Sequence, residues 1–325
     1  MRILLQFPEG LKQEALSHAT RLSAQGHEIF LSASACYGAC DLALDEARAI
    51  KAQKLIHFGH AEFMKVENFC RNFPAVAGKG RDTMRSPGLK VEYVPYFAQL
   101  DWKSTGAMLE KAALLLRAAG VKKISLVFPV QHLKNAARVQ AELEAEGFSV
   151  AIGKGGAHAA HAGQVLGCDG TAAYSGKARG ADAVVYFGGG KFHPTGIPSG
   201  KPVLCADPHL ADAYWITDEI VRVEKRRNGA LLAASEAKTF GILLSTKNGQ
   251  FNIAGARIAK KLLETKGRRA EIVVANEFSS IALANFLKFD AYINTACPRI
   301  SDDREAYGKP VVNIADMKRL LELLI

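Results

Sequence analysis

The sequence predicts an α/β protein made of three similar parallel-sheet domains, on three observations. An apolar run ending at a turn occurs three times, as "RILLQFPEGL" near the start, "KISLVFPVQHL" at 123–133 and "TFGILLSTKNGQ" at 239–250. Each run is followed by a helical pattern: Leu11 to Gln25, Leu133 to Glu146, and Ile253 to Lys266. Each pattern then leads to a second short strand and, later, a third: "HEIFLS" and "KLIHFG", "FSVAIG" and "DAVVYFGGG", "AEIVVA" and "DAYINTA".

The elements justify themselves in that order. The first runs are rich in leucine and β-branched residues and end at turn residues, as strands do. The helical patterns stop at Gly26, Gly147 and Gly267, where a left-handed C-cap is expected. A helix between two strands permits a right-handed crossover, so the strands pair in parallel. The starts near 2, 123 and 239 lie 121 and 116 residues apart. This spacing divides the chain into 1–98, 99–208 and 209–325. No Gly/Ser/Pro-rich linker separates these parts, so a compact pseudo-threefold arrangement is expected.

Composition sets further bounds. A chain of 325 residues suits two or three domains of ordinary size. No apolar run approaches the roughly 18–20 residues of a membrane span. "MRILLQFPEG" is apolar for only five or six residues and reads as a first strand rather than a signal peptide. A cytoplasmic protein with no membrane contact is expected. Six cysteines are too few for a disulfide scaffold. The net charge of +10 comes without interleaved aromatics, so it reads as solubility, with no direct nucleic-acid contact expected. Lys65 to Lys90 concentrates six cations against two acids and reads as a mobile basic loop.

In open parallel sheets, functional groups gather beyond the carboxyl ends of the strands. Cys40 in "YGACD" follows the second strand of the first part, at the start of a helix expected over Leu42 to Lys51. Cys168 in "GQVLGCDG" follows the second strand of the second part, and Cys297 in "NTACPRI" the third strand of the third. One cysteine thus issues from each domain, and pseudo-threefold packing would direct all three to one centre. Cys36, Cys70 and Cys205 fit less well and read as small buried hydrophobes. Three thiolates suit zinc with an open fourth position, or a [4Fe–4S] cluster with one iron lacking a protein ligand. None of the nine histidines has ligand spacing to these cysteines, and sulfur-only ligation favours iron–sulfur. His158 and His161, near Cys168, sit in an alanine-glycine run. His60 in "HFGH" is either a site residue or a structural histidine at a strand end, and Gly188, Gly189 and Gly190 either line a cofactor or form a turn.

Six motifs, "YGACDLA", "HFGH", "GQVLGCD", "GGGKFHP", "AKTFGILLSTKNGQ" and "NTACPRISDD", together resemble the archaeal diphthamide synthase family, in order across nearly the whole chain. The resemblance implies a homodimer whose subunits each hold three α/β domains around a [4Fe–4S] cluster, carried here by Cys40, Cys168 and Cys297. It implies transfer of the 3-amino-3-carboxypropyl group of S-adenosylmethionine to C2 of a histidine imidazole of translation elongation factor 2. The implied route is radical and draws on an external electron donor. Lys191, His193, Gln250 and Asp303 match family motifs. With the three glycines, His193, Gln250 and Asp303 are the candidate cofactor-binding positions. Cys36 lies outside the family pattern. "CYGACDLA" begins the CxxxCxxC spacing of ordinary radical S-adenosylmethionine enzymes but has Ala43 where the third cysteine belongs. The basic stretch 65–90 departs from the family as an insertion, expected to help dock the elongation factor. The rival enzymatic reading is a three-lobed [4Fe–4S] Lewis-acid enzyme of the quinolinate synthase type. The rival from another class is a non-catalytic zinc or RNA-binding protein.

Overall fold

Each apolar run forms the first strand of its own sheet in the computed structural model, which describes residues 1–63, 88–198, 200–303 and 307–324. Cys70 and the basic stretch as far as residue 87 lie outside the described residues. The first sheet contains β1 (Arg2–Gln6), β2 (Glu28–Leu31), β3 (Lys54–Phe58) and β4 (Lys90–Val94). The second contains β5 (Lys123–Val127), β6 (Ser149–Ala151), β7 (Ala183–Phe187), β8 (Val203–Asp207) and β9 (Asp212–Trp215). The third contains β10 (Thr239–Ser245), β11 (Arg269–Ala275), β12 (Ala291–Asn294) and β13 (Val311–Asn313). The strand orders are β2-β1-β3-β4, β6-β5-β7-β8-β9 and β11-β10-β12-β13. One plan is therefore used three times. The chain divides into two compact units, Met1–Ile220 with the first two sheets and Val221–Ile325 with the third.

The pairing is parallel throughout the first and third sheets. The second sheet departs from the all-parallel expectation at its edge, where β9 runs antiparallel to β8. Only residues 208–211 connect these strands, too few for a crossover. Asp207 seeds the reversal by accepting the backbone N–H groups of His209 at 2.9 Å and Leu210 at 3.2 Å.

The crossover helices occupy the expected segments. The first two begin with 3₁₀ turns, Glu9–Glu14 and Val130–Asn135, and continue as α-helix over Ala15–Ser23 and Ala136–Ala145. Pro8 and Pro129 precede them in extended conformation. The third, Ile253–Thr265, has no such proline, and the Asn252 side chain caps it by accepting from the Gly255 N–H. Gly26, Gly147 and Gly267 have φ of +80°, +90° and +70°. The left-handed caps are where the sequence places them. The helix Trp102–Ala118, capped by Asp101, is an element the sequence reading did not identify. Among the described residues no helix is long and apolar enough to cross a membrane.

Two features of register recur in every sheet. The residue just before the third strand binds backbone N–H groups at the start of the first. Gln53 Oε1 accepts from Arg2, Asp182 Oδ2 from Lys122 and Lys123, and Asp290 Oδ2 from Lys238 and Thr239. At the other end, the last rung between first and third strands pairs Gln6 with His57, Val127 with Tyr186, and Leu243 with Asn294. β7 and β10 are buried along their whole length, as expected of parallel strands covered on both faces.

Candidate functional site

Beyond β2 the chain enters the loop that carries Cys40. The expected helix starts later than the sequence suggested, at Leu44, and runs to Ala49. Cys40 therefore sits in a turn closed by the Asp41 N–H on the Gly38 carbonyl at 3.0 Å, not on the helix. The loop is gripped from below by Gln6, a buried side chain at the end of β1. Gln6 Nε2 donates to the Asp41 carbonyl at 2.7 Å, and its Oε1 accepts from the Ala43 N–H at 3.0 Å.

The same Oε1 faces His57 Nδ1 at 2.9 Å, and His57 Nε2 faces His60 Nδ1 at 3.0 Å. Gly59, with φ +87°, turns the chain so that residues 57 and 60 meet, and a methyl group there would fall 2.7 Å from Pro8. Cys36 completes the group: ligand atoms of Cys36, His57 and His60 all lie within 4.8 Å of one another. Burial keeps both imidazoles neutral, pushing His57 down to about 3, helped by His60, and His60 down to about 4. Burial, then the Asp41 charge, pushes the Cys36 thiol up to about 12.

Cys168 lies in a long irregular connection after β6. Residues 163–165 pair with the end of β5, through the Phe128 N–H on Gly163 and the Val165 N–H on Phe128, both at 2.8 Å. Leu166 and Asp169 then exchange backbone hydrogen bonds at 2.9 and 3.1 Å, so Cys168 stands at the tip of a tight turn. Asp169 secures the base, accepting from the His158 N–H at 2.9 Å and the Thr171 N–H at 3.0 Å. The turn is pressed against the "KFHPTG" segment. A methyl group on Gly167 would fall 2.5 Å from the Phe192 ring, and one on Gly196 would fall 2.3 Å from the Gly167 carbonyl oxygen. His158 stacks on Phe63 with ring centroids 4.7 Å apart. His161 is tied through its backbone N–H to Gln164.

Cys297 follows β12 in the second unit. Asn294 Nδ2 donates to the Cys297 carbonyl at 2.7 Å and to Asn313 Oδ1 at 2.8 Å. The short helix Pro298–Asp303 is anchored by Asp302, which takes a two-pronged contact from Arg227 at 2.8 and 3.1 Å and a third from Arg299 at 3.0 Å. Burial raises the Cys297 thiol above its ordinary value. Gln250 closes a turn on the Lys247 carbonyl at 2.9 Å. The Lys247 side chain is itself buried, with Glu277 at 3.9 Å. Asp303 ends the short helix.

A cavity of about 540 Å³ opens at the carboxyl ends of β5, β7 and β8. Gly189, Gly190, Lys191 and His193 line it, together with His132 and Asp207. Gly188 is not part of the lining; it packs against Pro129, from which a methyl group there would fall 2.7 Å. Gly190 has φ +72°. Burial, aided by the facing His209, pushes His132 down to about 4. Gly189 and Gly190 thus belong to a turn that also lines the cavity.

The sulfur donors sort by exposure. Cys40, Cys168 and Cys297 are half-buried in loops that follow strands, one per sheet, whereas Cys36 and Cys205 are buried. Cys205 lies inside β8 among apolar residues, as its sequence context predicts, and burial pushes its thiol up to about 12. Each of these three half-buried thiols is exposed enough to serve as a thiolate ligand, the kind the irons of a [4Fe–4S] cluster take. Gln6, Asp169 and Asp302, which hold the three loops, carry no signal in the sequence beyond being polar residues near a cysteine or at a strand end.

The family described as "Putative diphthamide synthesis protein" matches residues 7–323. A curated relative, the 2-(3-amino-3-carboxypropyl)histidine synthase of Pyrococcus horikoshii, is 35% identical over 99% of this chain and 86% of its own. Subunit 1 of the corresponding synthase of Nematostella vectensis is 27% identical over 96% of this chain, which spans 62% of that protein. The crystal structure of Dph2 from Pyrococcus horikoshii with a 4Fe-4S cluster superposes with a TM-score of 0.81 at 32% identity, covering 99% of this chain and 86% of that one.

Proposed function

The chain belongs to the family of diphthamide synthesis proteins, and from that premise we propose that it is a 2-(3-amino-3-carboxypropyl)histidine synthase acting on translation elongation factor 2. The reaction moves the 3-amino-3-carboxypropyl group of S-adenosylmethionine onto C2 of a histidine imidazole, with methylthioadenosine as the leaving product. The observation that carries the reading is the family match over residues 7–323, joined to one half-buried cysteine in a loop that follows a strand of each of the three sheets.

Cys40, Cys168 and Cys297 would each hold one iron of a [4Fe–4S] cluster, and the fourth iron would take the cosubstrate. What such a cluster supplies when bound is one low-potential electron, enough to break a C–S bond of a sulfonium that is already cationic. The protein's own contribution is placement. Gln6 and Asp169 fix the loops of Cys40 and Cys168 from beneath, and the Asn294–Asn313 pair does the same for Cys297. Gly189, Gly190 and His193 line a cavity that suits the cosubstrate, with Gly188 packed on Pro129 beside them, since backbone can approach a ligand closely where no side chain intervenes. Gln250 and Asp303 belong to the proposal as cosubstrate contacts from the third sheet. The three-part division 1–98, 99–208 and 209–325, a cytoplasmic homodimer and an external electron donor complete it.

The test is anaerobic incubation with S-adenosylmethionine, a reductant and the elongation factor. Methylthioadenosine and a heavier protein substrate are expected. Release of 5′-deoxyadenosine, or product formation without the elongation factor, would overturn the reading. Cys168→Ala should lose iron, whereas Cys205→Ala should keep it.

A further inference from the structure

We propose that Cys36, His57 and His60 form a second metal site in the first unit, which takes a single zinc ion and is separate from the three cysteines assigned to the cluster. The hydrogen bonds around Gln6 dictate its chemistry. Gln6 Nε2 is committed as a donor to the Asp41 carbonyl, and Oε1 already accepts from the Ala43 N–H. The His57 nitrogen that faces Oε1 at 2.9 Å must therefore carry the proton, and that nitrogen is Nδ1. A wholly buried imidazole is neutral, so His57 Nε2 is a bare lone pair, aimed at His60 Nδ1 3.0 Å away.

Neutral His60 satisfies that lone pair only by placing its one N–H on Nδ1. A cation between the rings can take the place of that shared proton, with the Cys36 sulfur as the third ligand. The Gln6 bond to His57 Nδ1–H is then the outer contact that metal-binding histidines characteristically make through their second nitrogen. Two imidazoles and one thiolate match zinc, which binds nitrogen at about 2.0–2.1 Å and sulfur at about 2.3 Å in tetrahedral geometry. Those bond lengths put ligand atoms about 3.3–3.6 Å apart, so no pair in the group needs to close by more than about 1.5 Å from its 4.8 Å limit. Three protein ligands leave the fourth position to water.

The site is distinct from the cluster ligands by burial. Cys36 and His57 are buried, while Cys40 is half-buried on the adjoining turn. Cys205 supplies the contrast: it is as buried as Cys36 but is packed among apolar residues. Through Gln6, which binds both His57 and the backbone beside Cys40, the zinc ion would stiffen the loop that presents Cys40.

The experiment measures iron and zinc together in the full chain purified anaerobically, so its readout does not depend on activity. About one zinc per chain is expected in addition to iron. Cys168→Ala should lose iron and keep zinc, and Cys36→Ala should keep iron and lose zinc by about tenfold or more. His60→Gln, at a more exposed position, repeats the zinc loss where Cys36→Ala disturbs folding. Adding Co²⁺ to zinc-stripped Cys168→Ala protein should give a sulfur-to-cobalt charge-transfer band, and that band should vanish when Cys36→Ala is added. The proposal fails if no zinc or cobalt binds. It also fails if zinc is indifferent to Cys36→Ala, or if iron and zinc fall together in a folded Cys36→Ala protein.

Discussion

The first and second sheets share strand order, crossover and capping glycine, and then differ at one rung. Where the β5–β7 pairing ends on Val127 opposite Tyr186, the β1–β3 pairing ends on Gln6 opposite His57. In the second sheet the rung is mostly apolar, and the Tyr186 hydroxyl donates to the Gly189 carbonyl at 3.3 Å. In the first it is wholly polar, and Gln6 alone makes three hydrogen bonds. Burying an amide without partners costs several kcal/mol on transfer scales (about 2–7), so a polar rung is tolerable only because it is fully bonded. The fold needs no such rung, as the second sheet shows. Its presence in the first marks a site that uses polarity to hold the Cys40 loop and to orient His57.

The sharpest way to break this comparison is Gln6→Leu. The change orphans the Ala43 N–H, the Asp41 carbonyl and His57 Nδ1–H, all near the core. At about 1–3 kcal/mol for each unsatisfied group, the loss should be on the order of 3 kcal/mol or more. The matching change in the second sheet, Val127→Ala, removes only methyl groups and should cost about 1–3 kcal/mol. Chemical denaturation of the two variants decides the matter. If Gln6→Leu is no worse than Val127→Ala, the rung is not a clamp.

The next test compares the two cysteine loops. The Cys168 turn is held by backbone contact with the 192–196 segment, and a methyl group on Gly196 would lie 2.3 Å from the Gly167 carbonyl oxygen. Gly196→Ala should therefore cost about 1–3 kcal/mol through overpacking and lower the iron content. Gly38 lies beside Cys40 but has room: its added methyl would meet only Cys40 Sγ, at 3.6 Å. Gly38→Ala should leave both stability within about 0.5 kcal/mol and iron content unchanged. Equal iron loss in the two variants would mean that the loops are held in the same way.

The repeated plan was legible because it rests on local chemistry: apolar runs, crossover patterns and the three left-handed glycines. The placement of Cys40, Cys168 and Cys297 was legible for a topological reason, since loops after parallel strands carry function. Gln6 was not, because an amide at the end of an apolar run looks like a strand leaving the core until the β1–β3 register is known. The Cys36 group was hidden for the same reason. Its members are brought together across 24 residues by strand pairing and the turn at Gly59, and no spacing rule reaches that far. β9 was missed because a four-residue reversal seeded by Asp207 has no periodic signature.

The smallest expected effect concerns the opposite end of the sheets, where the two again differ in one side chain. Gln53 closes the first sheet and Asp182 the second. The Lys122 and Lys123 backbone N–H groups hold the Asp182 carboxyl below its ordinary value. A carboxyl depressed in the folded state stabilises it above the unfolded value of about 3.9, and that contribution is lost as pH falls through the folded value. Asp290 in the third sheet is depressed chiefly by the Thr239 hydroxyl and carries the same sign. Wild-type stability should therefore decline on acidification below about pH 4, and Asp182→Asn should flatten part of that decline while keeping an acceptor for the two N–H groups. Gln53→Glu runs the comparison in reverse, giving the first sheet an acid-sensitive closure and steepening the decline. Denaturation midpoints for the three proteins measured between neutral and acidic pH check it. If Asp182→Asn and wild type fall in parallel, the carboxylate closes the sheet by shape alone and its charge contributes nothing.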